Sequence, residues 1–377
     1  MMRALALALL LAATTVGCDG ESPAPAPATA AAVGQPASLA VSELAVSEVA
    51  SWPVDAGRLR MLGLGPTYVV WAAARDGRSQ AGPTRVVVSD LDGGTRRTVY
   101  RSTYAGGQIG GVAEMAGRVL VVDERPGPSD HGPPTAWRLM AVGLAGGRRV
   151  LAESEPGVVS WSPAPVTADG AGGWTAGWVQ QDAEPPTGAV AFTWMPGSDP
   201  RRWGSVGRAQ LVGLTADGLL LERIGRDEVR GMYRIDLALR TRSGVRRLTD
   251  DGLVVEADVD GSTLAWSERA DRGHQLADPV EVHTLDLDHL DGPETIRRGA
   301  TGWELHAGDG FVLRSGRHLG LSVAPAQGGT PLRLPGARVP GTSNSPAVLA
   351  DRVAYVRRTD DGVRLVVLEV AETADVG

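Results

Sequence analysis

The side chains of this chain that could do chemistry are six histidines and a scatter of carboxylates, and few of them stand close together. His283 and His289 flank Asp286 and Asp288, a mixture of imidazole and carboxylate that divalent cations accept. On an extended segment, however, side chains alternate, so His283 and Asp286 point to opposite faces. The spacing therefore predicts a solvated strand end rather than a ligand set. His306 and His318 have no converging acids nearby in sequence and read the same way. Asp90-Leu91-Asp92-Gly93 and Asp258-Val259-Asp260-Gly261 hold part of a calcium loop but lack a bidentate glutamate at the required offset, and they read as hairpin turns. No Gly-x-Ser-x-Gly elbow is present to present a serine nucleophile. Glycoside cleavage needs two converging carboxylates. The loop acids Asp123, Glu124, Asp182, Glu222 and Glu268 are not ranked for that role by anything local to them, and they read as solvated turn and strand-end charges. No metal, cofactor or catalytic set is expected.

Aromatic residues offer binding rather than catalysis. Ten tryptophans stand against two phenylalanines. Trp71, Trp178 and Trp266 lie within apolar strands and read as core. Trp161 and Trp203 lie near turns, where an indole can anchor a partner or stack on a sugar, and they are the candidate binding residues. The excursions Arg125 to Pro134 and Asp182 to Gly188 are further candidates for a binding rim.

The elements that must position these residues are strands. An apolar strand recurs seven times, around Val70, Val121, Ala176, Leu220, Ala265, Val312 and Tyr355, at steps of 43 to 55 residues. Four-stranded blades repeat at about this spacing, and one such unit has no means of burying its apolar face alone. Asp-Gly precedes several of these strands, as at Asp217-Gly218, Asp260-Gly261 and Asp309-Gly310, where a tight hairpin favours positive φ. Partner strands follow, among them Met232 to Leu237 and Val282 to Leu287. Unit four closes with Gly244-Val245-Arg246-Arg247-Leu248-Thr249-Asp250-Asp251-Gly252. This phrase, with its weaker echoes at Gly93 to Thr98, Gly146 to Leu151 and Gly328 to Leu334, resembles the TolB-type repeat of WD-like β-propellers. The resemblance spans about residues 52 to 372 and implies an all-β propeller. Seven four-stranded blades are expected, with six or eight as the neighbouring counts. Unit seven ends without a fourth strand of its own, so a segment within Leu39 to Val54 is expected to close the ring, because an open ring would expose strand edges.

Ahead of the repeats, Arg3 is followed by an apolar run from Ala4 to Ala13, about half of the 20 residues a membrane span needs. It has the form of an export signal. Thr15-Val16-Gly17-Cys18 resembles the lipobox of bacterial lipoproteins, with Thr15 where leucine is usual. The resemblance implies cleavage before Cys18 and lipidation of its sulfur, with two or three acyl chains giving a stable anchor. The expected organisation is a signal peptide over 1–17, a lipidated Pro- and Ala-rich tether over 18–50, and the propeller over 51–377. Cys18 is the chain's single cysteine, so disulfides and thiolate zinc sites are excluded from the folded part. All 37 basic residues are arginines, none is clustered into a block, and the net charge is −7, which argues against nucleic acid as a partner.

These readings predict a lipid-anchored protein on the extracytoplasmic face of the cell membrane, whose propeller is a scaffold binding an envelope protein or ligand. The alternatives are an envelope glycan-binding or glycan-hydrolysing propeller, or a substrate-capture lipoprotein of a transporter.

Overall fold

A computed structural model describes residues 43–373, apart from 56–58, 75–81, 116, 129–132, 156–159, 169–174, 183–187, 227–232, 271–280, 291, 293, 299–303, 317–319 and 337–344. The signal segment, Cys18 and most of the tether lie outside the described residues, as do His131, His274, His318 and Trp174.

Seven antiparallel sheets follow one another along the chain. The inner strands are Leu59–Leu64, Gln108–Met115, Val166–Ala168, Ala209–Leu214, Val254–Asp260, Glu304–Gly308 and Ala347–Leu349, and each touches the next, the last returning to the first. This is a closed seven-bladed β-propeller. Among the described residues the only helix is one 3-10 turn, Leu287–His289, and no helix is long and apolar enough to cross a membrane.

Closure uses the chain's own start. In blade 7 the outermost strand is Glu43–Pro53, which pairs antiparallel with Gly362–Thr373, Glu43 lying opposite Thr373 and Pro53 opposite Arg364. The closing strand thus falls inside the expected segment. Cross-strand ties reinforce the pairing: Arg357 bonds Glu48 at 2.8 Å, and the Arg364 guanidinium donates to the Ser51 hydroxyl at 2.6 Å.

Second strands are apolar on both faces because both faces are covered. In Tyr68–Ala74, Tyr68, Val70 and Ala72 pack toward blade 2, whereas Val69, Trp71 and Ala73 pack toward blade 7. The same alternation produces one apolar seam between every pair of neighbouring blades. Trp71, Trp137, Trp178, Trp194 and Trp266 are all buried in these seams. Their burial matches the core reading for Trp71, Trp178 and Trp266. At about 25 cal/mol per Å² of apolar area, such aromatic residues dominate the packing energy.

The recurrent closing phrase has a mechanical purpose, visible in blade 4. Thr249 Oγ1 accepts from the Leu237 amide at 2.9 Å, and Asp236 accepts from the Gly252 amide at 2.7 Å. These bonds pin the passage into blade 5. Gly252 has φ of 74°, which a Cβ would disfavour.

Candidate functional site

On one face of the ring, here called the crown, inner strands begin and second strands end. Cross-strand register brings acids there in successive blades: Glu124 opposite Gln108, Asp182 opposite Ser160, Glu222 opposite Gln210, and Glu268 opposite Val254. Four of the five strand-end acids thus occupy equivalent backbone positions in blades 2 to 5. The Asp182 side chain lies outside the described residues.

Asp123 does a different job. It is fully buried and accepts from Tyr100 Oη at 2.7 Å, from the Thr103 amide at 2.9 Å and from Thr103 Oγ1 at 2.7 Å, with the Ser102 hydroxyl as a fourth donor. The carboxylate ties down the chain where it passes from blade 1 to blade 2. Burial, reinforced by the bond to Asp123, pushes the Tyr100 phenol up to about 12.

Glu124 is buried against Gly110, where a Cβ would come within 2.0 Å of its Oε1. Gln108 Nε2 donates to it at 3.0 Å, and the Ser162 hydroxyl also donates to it. That second bond bears on Trp161. The inner edge of blade 3 is split into Ser160–Trp161 and Val166–Ala168 by Ser162-Pro163-Ala164-Pro165, whose prolines remove ladder donors. Ser160 Oγ accepts from the buried Trp137 indole at 2.9 Å. Trp161 therefore stands between two anchored serines while the residue itself is 45% exposed. The other candidate, Trp203, lies on the outer strand Arg201–Gly207 and is half-buried in the seam between blades 3 and 4. Its indole donates to Thr193 Oγ1 at 2.9 Å, and its carbonyl accepts from Arg240. The structure does not bring the two tryptophans together.

The inner strand of blade 5 carries Glu256, Asp258 and Asp260 at alternate positions. A bulge between Val254 and Glu256 offsets the pairing, a device that re-aims side chains; equivalent offsets occur at Arg60/Leu62, Ile109/Gly111 and Leu211/Gly213. Asp258 Oδ2 accepts from the Ala307 amide at 3.0 Å and lies 3.4 Å from His306 Nδ1. Asp260 accepts from the Ala350 amide of blade 7. Asp258 and Asp260 therefore join blades, and Gly261, with φ of 56°, turns the hairpin as its sequence suggested. Glu304 accepts from Ser345 Oγ at 2.8 Å.

Burial pushes the Glu222 carboxyl up to about 7 against the opposing backbone bond from Ala257. Burial likewise pushes Glu256 up to about 7; His306 opposes the shift, and the charges of Asp258, Glu304 and Glu222 add to it. Burial lowers the His306 imidazole, but the bond to Asp258 and the charges of Asp258, Glu256 and Glu304 outweigh it and hold it above the ordinary histidine range. Two carboxyls held near 7 and one imidazole held above its ordinary range are thereby gathered from blades 4, 5 and 6, a set of the kind found where protons are transferred. Sequence reasoning missed this convergence because each member comes from a different blade. The alternating acids of Val254–Asp260 were its only local signal.

His289 pairs with Asp286 at 2.8 Å on an exposed turn, matching the solvated strand end expected there. His283 instead faces Glu268 across the sheet. One ligating atom each from Glu268, Glu281 and His283 lies within 4.8 Å of the others, the one such group among the described residues.

No family model matches this chain. No curated protein matches it either. Solved structures do. The β-propeller domain of the Trilobed protease from Pyrococcus furiosus aligns with a TM-score of 0.55 at 10% identity, over 84% of this chain and 95% of that one. Oligogalacturonate lyase from Vibrio parahaemolyticus aligns with a TM-score of 0.52 at 10% identity, over 87% and 97%. An acylaminoacyl peptidase from Pyrococcus horikoshii aligns with a TM-score of 0.51 at 10% identity over 84% of this chain, but over only 52% of its own length. The likeness is one of fold. It agrees with the ring described above.

Proposed function

We propose that this chain is an extracytoplasmic lipoprotein, anchored through Cys18, whose propeller crown binds a protein of the cell envelope. The observation that carries the reading is Trp161. An indole nearly half exposed, on an inner strand whose flanking serines are bonded to Trp137 and Glu124, is a rigid apolar anchor beside acidic groups. Exposed tryptophans in such settings supply a large share of binding energy in protein interfaces. The ring supplies stiffness, and the lipidation motif supplies location. In cells carrying a tagged full-length chain, in-situ cross-linking is expected to give a defined adduct with one envelope protein. Trp161→Ala should remove that adduct while leaving Tm unchanged, and Cys18→Ala should release the chain from membranes. An adduct of equal yield from Trp161→Ala would overturn the reading.

A second reading, an envelope glycan-binding or glycan-hydrolysing propeller, draws on Glu222 and Glu256, whose carboxyls are held near 7. It requires turnover of an envelope glycan that Glu222→Gln and Glu256→Gln each abolish; an activity screen of the folded protein without turnover removes the hydrolytic form.

A further inference from the structure

We propose that Glu268, Glu281 and His283 form a site for one divalent first-row transition cation, zinc or manganese, at the crown end of the seam between blades 4 and 5. Register places the three together. Glu268 lies opposite Glu281, and Trp266 opposite His283, so all four side chains share one face of blade 5. Trp266 belongs to the apolar seam with Leu220 and Leu237 of blade 4, and the His283 ring stacks on it at 5.0 Å.

His283 is the second, independent pointer. Its side chain is only 7% exposed, and its Nε2 is buried without a hydrogen-bond partner. That atom is straddled by Glu268 Oε2 at 3.4 Å and Glu281 Oε2 at 3.5 Å. Both distances are long for an N–H donor, which prefers about 2.7–3.2 Å. They suit ligands around a shared cation: bonds of about 2.1 Å in tetrahedral array separate ligand atoms by about 3.4 Å. In the tautomer whose Nδ1 donates to Glu294, the Nε2 lone pair faces two carboxylate oxygens, an arrangement that a cation between them relieves.

Each ligand is also held by its other end. Glu268 Oε1 accepts from the Trp266 indole at 2.7 Å, Glu281 Oε1 accepts from Arg298 Nε at 3.1 Å, and His283 Nδ1 bonds Glu294. Outer partners of this kind orient metal ligands and fix the histidine tautomer. The donor set, one imidazole and two carboxylates, favours first-row transition cations over calcium or magnesium, which take oxygen alone. Three protein ligands leave one coordination position to water.

The test uses the full-length chain, stripped with a chelator and titrated separately with zinc chloride and manganese chloride. One equivalent per chain of at least one of them should bind and raise Tm by about 2 °C or more. Glu281→Gln should weaken binding at least 10-fold, and Glu294→Gln by about 10- to 100-fold, each with an unchanged circular dichroism spectrum. Failure of the folded wild-type chain to bind either cation would overturn the site, as would equal affinity in Glu281→Gln.

Discussion

Asp123 and Glu222 are both carboxylates near the end of a second strand, and their donors separate their fates. Four donors converge on the fully buried Asp123 and make it a structural tie. Glu222, with one backbone bond opposing its burial, is pushed up to about 7 and becomes a proton-exchanging group. Asp123→Ala would strand several buried donors at once and is expected to cost about 3 kcal/mol or more in denaturant unfolding. A loss below about 1 kcal/mol would contradict the anchoring role. In the sequence Glu124, Asp182, Glu222 and Glu268 read as solvated charges, whereas the register aligns them at the ends of second strands and Glu124 and Glu268 are buried. Which acid anchors and which titrates was hidden, since the deciding partners come from other strands. Ser162, the partner of Glu124, lies in blade 3, and Asp258, the partner of His306, lies one blade back. The cross-strand meeting of Glu268 with His283 was concealed in the same way.

At the scale of elements, second strands were the most legible because burial on both faces makes them continuously apolar, as in Val69 to Ala74 and Val119 to Val122. The missing fourth strand of unit seven was legible as a gap, and Glu43–Pro53 fills it. Inner strands were the least legible. They are short, bulged or, in blade 3, split around Pro163 and Pro165, so their alternation is interrupted where it would signal a strand. Deleting residues up to Pro36 should leave Tm unchanged, because the deletion stops short of Glu43. Deleting up to Val54 removes a whole ladder, with the contributions of Leu44 and Val46 to the seam of blades 6 and 7, and should lower Tm by several degrees. Indistinguishable melting of the two truncations would show that the edge strand contributes nothing.

For the whole molecule, the seams are unequal. Among the described residues the seam between blades 5 and 6 is the thinnest in apolar contact, formed by Ala265, Val282, Leu305, Ala307 and Val312. Glu256, Asp258, Glu304 and His306 line that boundary. Its stability should therefore follow pH. Glu222 and Glu256, raised to about 7 in the fold from ordinary values of 4.5, bind more protons folded than unfolded between those limits, so stability falls as pH rises through that window. His306, raised above 6.5, stabilises below that value and loses its contribution as pH climbs through its folded pKa, which is the same sign. Tm should accordingly fall between pH 5 and pH 8, with a loss of stability of about 2–3 kcal/mol for each of the two carboxyls. Glu256→Gln should flatten the slope; a Tm that rises over that range would contradict the assignment. Ring closure has a separate consequence for how the protein is made. Glu43 is translated long before Thr373, its partner, so at about 5–20 residues per second the first strand waits on the order of tens of seconds for its mate. During that interval blade 7 does not exist, and the nascent chain has to avoid pairing elsewhere. Splicing Glu43–Pro53 after Thr373 through a short turn of two or more residues would make the most distant pairing in the fold a local hairpin, and so shorten its search.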